Sequence, residues 1–392
     1  MIDYRARVEE LQSDPADPHV QPGRGSGLRI GLDARLLGDH LTGVGYYVSE
    51  LCKEVDHILP GAEFFLYAPW DIKAPVESRR WHVRIDPWRT AFERLRGSWM
   101  TKHAWMLLRA GRLAIRDRVN VFWATDSPFV PLLPARIRVV ATVHDFRHRM
   151  TPDKMRRTAL FGRIVLEKRL SRVDAFIANS SGTAQKLRRF LGYQVVGVAR
   201  PAVSQHFIRR AENEVTQTLA RYGIRPPYLL SLSSADPHKN IELLVETFLA
   251  MRAEGITPSH TLVLVGKKSD QLLKRVARTA PVQVVGIKAL GYVPEEDLPA
   301  IYSGADVFIL PSLDEGFGMP VLEARACQTK IVSSDLTELR EAGGDRPFYI
   351  RPDTHGIRAG IMAALAAEPP SKPDRLWTWE SSAKILADAL DP

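Results

Sequence analysis

Residues 310–335 read LPSLDEGFGMPVLEARACQTKIVSSD, and this stretch carries more structural information than any other in the chain. The apolar run closing at Pro311 reads as a strand, and Glu315-Gly-Phe-Gly318 as the loop that leaves it. Pro320 then falls in a first helical turn, where a missing amide hydrogen costs nothing. Glu315 therefore lies in the loop and Glu323 inside the first turns of the helix. Gly316 and Gly318 let backbone amides come close to a ligand. The helix start adds unpaired N–H groups and the positive end of the dipole, an anion site suited to a diphosphate. Two acids beside such a site make sense as acceptors for hydroxyls of a vicinal diol. The plain alternative is one solvated loop acid and one helix-start acid favoured by the dipole.

Upstream, the same strand–turn–helix grammar repeats. RIGLDARLL (29–37) reads as a buried strand, GDHLTGVG (38–45) as a loop and YYVSELCKEVDHIL (46–59) as a helix. In that helix Tyr47, Leu51, Val55 and Ile58 recur at three-to-four spacing, giving one apolar face. The short apolar runs FFLYA, VNVFWA, RVVATVHD and DAFIANS follow, with helical patterns between them. Strands alternating with helices predict an α/β fold with parallel sheets covered on both faces. ARPAVSQHFIRR (199–210) breaks the rhythm, which restarts at PYLLSLSS (227–234) and runs through TLVLVG, DVFILPS and KIVSSD. Two domains are expected: 28–205 and 206–376, after a loose tail of residues 1–27. WTWESSAKILADAL supplies a closing helix within 377–392.

A chain of 392 residues with 45% apolar and 25% charged residues is globular and too long for one ordinary core. Two cysteines, Cys52 and Cys327, stand far apart, so neither a disulfide framework nor a cysteine zinc site is expected. That favours a reducing, cytoplasmic setting. The first residues lack the apolar core of a signal peptide, and no stretch approaches a membrane span. The net charge of +9 calls for an anionic partner. It concentrates in 79–118, where Lys and Arg interleave with Trp81, Trp88, Phe92, Trp99 and Trp105. One reading is a peripheral contact with anionic membrane; the other is a solvated basic face with tryptophans in the core.

Three further constellations carry chemistry. LSLSSADPHKNIELLVETF (230–248) runs from strand through turn to amphipathic helix, placing Ser234 and Lys239 at a strand end. A lysine there can supply the positive charge that a metal would otherwise bring. Thr42-Gly43-Val44-Gly45-Tyr46 puts two glycines before a helix, where the backbone can approach a ligand. VVATVHDF sets His144 and Asp145 at a strand's carboxyl end, the side on which open parallel sheets bind ligands. NSSGTAQKL (179–187) reads as a helix start with Ser180 or Ser181 as cap. Dinucleotide, P-loop and Asp-x-Asp patterns are absent, which disfavours a nicotinamide oxidoreductase, a P-loop NTPase and a carboxylate-held metal.

Glu315-Gly-Phe-Gly-Met-Pro-Val-Leu-Glu323 resembles the Glu-x7-Glu signature of glycosyltransferase family 4, retaining enzymes of the GT-B fold. The likeness spans roughly residues 28–390. It implies two Rossmann-like domains facing across a cleft, with the acceptor on the N-terminal half and the closing helix returning to that half. It implies that Glu315 contacts the donor sugar and Glu323 the ribose, with Gly316, Phe317, Gly318 and Met319 around the donor. Asp236-Pro-His-Lys-Asn240 resembles the family's Glu-Pro-Arg-Lys-Asn turn, so Lys239 inherits the donor phosphates. The turn departs from that pattern at Asp236 and His238, and Ser233-Ser234 replaces Gly-Thr. Gly43 and Gly45 match a loop that reaches the donor diphosphate; His144 and Asp145 match an acceptor-side pair. Likeness to bacterial mannosyltransferases points to GDP-mannose as co-substrate, with no cofactor or metal. The implied acceptor is a glycan or a polyprenyl-diphosphate-linked glycan, and no nucleic acid is expected. UDP- or dTDP-sugar transfer, a GT-B epimerase, a phosphorylase and a basic non-enzymatic adaptor are the alternatives. A phosphorylase needs a cofactor-bearing lysine in a larger chain, and an adaptor should have lost Glu315 or Lys239.

Overall fold

The computed structural model describes residues 24–38, 41–86, 104–126, 130–146, 168–232, 236–266, 269–279, 285–370, 374 and 376–392. The first half comprises β1 (Arg29–Asp33), α1 (Gly43–Ile58), β2 (Glu63–Ala68), β3 (Trp81–Ile85), α2 (Gly111–Arg116), β4 (Val121–Ala124), β5 (Arg138–Val143), β6 (Ala175–Ala178), α3 (Ser181–Leu191) and β7 (Gly197–Val198). A π-helical turn, Met106–Ala110, leads into α2. The second half begins with α4 (Glu212–Arg221), β8 (Tyr228–Leu232), α5 (Ile241–Ala253), β9 (Thr261–Val265), α6 (Ser269–Thr279), β10 (Ile287–Gly291) and α7 (Leu298–Gly304). It continues with β11 (Val307–Leu310), α8 (Met319–Ala326), β12 (Ile331–Ser334), α9 (Thr337–Gly343), β13 (Phe348–Ile350) and α10 (Thr354–Ala366). The closing helix is α11 (Trp379–Leu390).

Each half is a parallel sheet. Among the described residues the first has seven strands in the order β3-β2-β1-β4-β5-β6-β7, the second six in the order β10-β9-β8-β11-β12-β13. Strand residues alternate between faces, and both faces are buried, so the strands read as near-continuous apolar runs. Phe64 and Leu66 enter one core of the first sheet, Phe65 and Tyr67 the other. Val263 and Val265 face one core of the second sheet, Leu262 and Leu264 the other. These are two Rossmann-like domains.

Strand order reverses between β1 and β4 in the first sheet and between β8 and β11 in the second. Chains leaving neighbouring strands there turn to opposite faces and open a crevice at the carboxyl ends. α11 packs against α1 and β7, inside the core of the first domain. Among the described residues no helix is long and apolar enough to cross a membrane.

Candidate active site

The second switch point gathers a cluster of polar residues. Residues Pro237–Lys239 form a single 3₁₀ turn after β8, ended by Asn240 in the left-handed region. The Leu313 amide donates to the His238 carbonyl at 2.7 Å, tying this turn to the loop after β11. Lys239 Nζ then reaches Glu315 Oε1 at 2.6 Å, and Ser312 Oγ donates to the same oxygen at 2.8 Å. The Glu315 side chain is only 8% exposed and that of Lys239 18%, so the pair is largely desolvated. Ser234 lies outside the described residues.

The two loop glycines are demanded by crowding. A Cβ at Gly316 would overlap the His144 carbonyl oxygen, and one at Gly318 would overlap Leu339. Gly318 also holds a φ of +100°, a conformation that suits glycine alone. It caps α8 through its carbonyl, which accepts from the Val321 and Leu322 amides at 2.9 and 3.3 Å; Pro320 has no amide hydrogen, so the Met319 amide is the donor at the helix start that these contacts leave. Phe317 is committed to the core, edge-on to Trp377.

Met319 and Glu323, four residues apart on α8, both line a cleft of about 510 Å³ between the domains. The Tyr302 hydroxyl donates to Glu323 Oε2 at 2.8 Å. Burial pushes the Glu323 carboxyl up to about 7, and the nearby Glu295 charge adds to the rise; the Tyr302 hydrogen bond opposes them. Leu232, Tyr292, Val293, Glu295 and Leu298 complete the second domain's wall.

The facing wall comes from α1, which corrects the expected loop. Thr42 caps the helix by accepting from the Gly45 amide, so Gly43 and Gly45 stand inside its first turn rather than before it. Their roles differ. Gly43 lines the cleft with open space around its α-carbon, whereas Gly45 packs on the Leu36 carbonyl with no room for a Cβ. Tyr46, Ser49, Glu50 and Lys53 also face the cleft. Their spacing is helical and their face is opposite the Leu51–Val55 stripe, a signal present in the sequence and passed over there.

His144 directly follows β5, 7% exposed, its Nε2 at 2.7 Å from the Thr125 carbonyl oxygen. A carbonyl only accepts, so Nε2 carries the hydrogen and the neutral ring keeps Nδ1 as an acceptor. Burial lowers the His144 pKa, against the Thr125 contact and the Asp145 charge, which favours that neutral form. Asp145 follows it, part-buried. The structure thus places Gly43, Met319 and Glu323 on one cleft, joins Lys239 to Glu315, and sets His144 against Gly316. Ser180 caps α3 by accepting from the Thr183 amide at 3.0 Å.

In the basic stretch, Trp88, Phe92 and Trp99 lie outside the described residues, while Trp81 and Trp105 are buried and donate to Asp56 and Asp86. These two are core residues and not headgroup anchors. Arg80, Arg84 and Arg109 pair with Asp56, Asp117 and Asp86.

Residues 226–366 match the family described as Glycosyl transferases group 1, and residues 41–203 match Glycosyltransferase Family 4. The chain is 28% identical over 371 residues to O-antigen chain mannosyltransferase B of Escherichia coli, covering 89% of this chain and 92% of that one. It is 24% identical over 259 residues to O-antigen chain mannosyltransferase RfbU of Salmonella typhimurium, covering 65% and 67%. The solved structure of WaaG, a glycosyltransferase involved in lipopolysaccharide biosynthesis, superposes with a TM-score of 0.65 at 13% identity, over 92% of this chain and 95% of that one. The two switch points, the cleft between them and these likenesses agree: the chain belongs to glycosyltransferase family 4 and is a glycosyltransferase of the GT-B fold.

Proposed function

We propose that the chain transfers mannose from GDP-mannose, with retention and without a metal, to a glycan carried on a polyprenyl diphosphate in cell-envelope polysaccharide assembly. The observation that carries this reading is the Lys239–Glu315 pair, 2.6 Å apart at the carboxyl ends of the two central strands. One group suits a phosphate, the other a sugar hydroxyl, and they stand side by side where diphosphate and sugar join. Mannose is favoured by the mannosyltransferase relatives.

In this reading the anomeric C–O bond breaks and its electrons pass to the diphosphate. Lys239, turned from Glu315 to the diphosphate when the donor binds, the Met319 amide at the start of α8 and the start of α1 at Gly43 stabilise that charge. The acceptor oxygen bonds the same carbon from the same face and gives its proton to a diphosphate oxygen. Glu315 holds the sugar, and Glu323 accepts from the ribose diol. His144, neutral, offers Nδ1 to a hydroxyl of sugar or acceptor and orients it, with Asp145 beside it on the acceptor side.

The proposal includes a cytoplasmic setting with peripheral attachment to anionic membrane. Leu108, Ile115 and Leu132 stand 48%, 40% and 49% exposed around α2, beside the exposed Arg112 and Arg116. Flotation with anionic vesicles, lost on adding salt, is the expected result; no flotation at low salt sinks this part.

The decisive test offers GDP-, UDP-, ADP- and dTDP-sugars without metal and follows release of each diphosphate. Release from GDP-mannose, unchanged by a chelator and lost in Glu315→Ala, is expected. Release from a UDP- or dTDP-sugar instead replaces the donor and keeps the site. If no donor is cleaved and no diphosphate raises the melting temperature, the site assignment fails.

A further inference from the structure

The start of α3 crosses the domain boundary and grips the donor loop at three consecutive residues. Lys186 Nζ lies 2.6 Å from Asp314 Oδ1 and 3.4 Å from the Glu315 carbonyl oxygen. Ser180 Oγ donates to the Gly316 carbonyl at 2.7 Å, and Thr183 Oγ1 reaches it at 3.1 Å. Behind this grip the same helix start is anchored again: Lys186 pairs with Glu338 at 2.8 Å, and the Ser181 amide donates to Glu341 Oε2 at 2.6 Å. Arg200 pairs with Glu341 as well. Gly182 has no room for a Cβ because Glu338 fills the space.

The grip lands where the loop cannot hold itself. Glycine gives the backbone at 316 the widest range of conformations, so the peptide that follows Glu315 depends on its contacts for a fixed orientation. Its order comes from outside, through a carbonyl held by two hydroxyls of the other domain and an α-carbon pressed on the His144 carbonyl. Asp314, on the other side of Glu315, is held by Lys186. Neither Ser180, Thr183 nor Lys186 lines the 510 Å³ cleft, whose α8 residues Met319 and Glu323 need no partner from α3.

We infer that Ser180, Thr183 and Lys186 are positioning residues that couple closure of the first domain onto the second to the placement of Glu315 against the donor sugar. The inference rests on the reading of Glu315 as the sugar contact. Nucleoside diphosphate binding then proceeds without the grip, whereas recognition of the attached sugar requires it.

Thr183 gives the cleaner test: its hydroxyl caps no helix, it reaches the Gly316 carbonyl at 3.1 Å and the His144 carbonyl of its own domain at 3.3 Å, and valine keeps its shape. Calorimetry on the full chain measures affinity for GDP and GDP-mannose, and in parallel for UDP and UDP-glucose, in Thr183→Val, Thr183→Ser, Ser180→Ala and Glu315→Ala. For whichever pair binds, Thr183→Val should leave diphosphate affinity within about twofold. It should weaken the sugar nucleotide about fivefold, the factor one lost hydrogen bond usually carries. Thr183→Ser should restore wild-type affinity, and Ser180→Ala should fall with Thr183→Val. Unchanged sugar-nucleotide affinity in both Thr183→Val and Ser180→Ala, with Glu315→Ala impaired, overturns the coupling and keeps the Glu315 reading. Equal weakening of both ligands with a lowered melting temperature reduces the grip to a structural role and also overturns it. A silent Glu315→Ala removes the Glu315 reading and the coupling with it.

Discussion

Lys239 and Glu315 hold each other, and the proposed mechanism gives each a different task when a donor binds. In that mechanism the ammonium turns to phosphate while the carboxylate turns to a hydroxyl, and the pair is a holding arrangement for two largely desolvated charges. Removing Lys239 leaves the Glu315 carboxylate buried without its counter-charge, with the Ser312 hydroxyl still donating to it, a loss of about 3 kcal/mol in comparable pairs. Lys239→Ala should therefore lower the melting temperature and also cut turnover about 100-fold, the usual scale for one lost transition-state donor. Wild-type turnover in a folded Lys239→Ala protein, measured by diphosphate release, would remove Lys239 from the mechanism. Glu323 makes a second prediction. Its carboxyl is raised to about 7 chiefly by burial, and only the ionised form accepts from both hydroxyls of a diol. Donor affinity should thus be full above about pH 8 and fall about tenfold by about pH 6 as the group takes up a proton. Stability moves the other way. The folded form binds the proton more tightly than the unfolded one, so this residue's contribution is greatest at low pH and declines as pH rises through about 7. Glu323→Gln should flatten the affinity profile; a slope that persists in that variant assigns the titration elsewhere.

At the scale of elements, the loop–helix junctions decide which glycines serve ligands and which serve packing. Gly45 sits on the Leu36 carbonyl and Gly43 in open space. Gly45→Ala should cost about 2 kcal/mol through overpacking, whereas Gly43→Ala should fold normally. Thermal melts separate the two, and equal melting temperatures would contradict this geometry. The pair also marks how far the sequence could be read. Strands such as TLVLVG and DVFILPS were legible because burial on both faces leaves an unbroken apolar signature, and α1 was legible from its Tyr47–Leu51–Val55 stripe. The first turn of α1 was not. Two glycines look like a loop, and the Thr42 cap that draws them into the helix is a weaker local signal than their flexibility. Ser180 could be read as a cap from its neighbours, but its bond to Gly316 joins positions 136 apart and leaves no local trace. The partners of Lys239 and Glu323 were hidden for the same reason: pairing is set by strand order, and strand order is not written in either segment.

At the scale of the whole molecule, α11 makes the two domains one strapped object. Its sequence follows the second domain, yet Trp379, Ala383, Leu386, Ala387 and Leu390 lie in the core of the first. Ser382 Oγ donates to the Arg200 carbonyl at 2.6 Å, Arg138 donates to the Ala389 carbonyl at 3.1 Å, and the Trp377 indole donates to the Pro201 carbonyl. The first domain therefore completes its core with α11, while Met319 and Glu323, which line the cleft and are the proposed nucleotide contacts, belong to the second. Leu386 is fully buried, so Leu386→Ala should cost the first domain about 3 kcal/mol through the cavity it leaves. GDP at about 100 times its dissociation constant should add about 2.7 kcal/mol to the second domain alone. In Leu386→Ala with GDP the two effects pull the domains apart, and calorimetry should resolve two transitions. The earlier should be displaced by the mutation and the later by the nucleotide. A single transition that answers to both would mean that the strap and the α3 contacts bind the halves into one cooperative unit, with domain motion no larger than that unit allows.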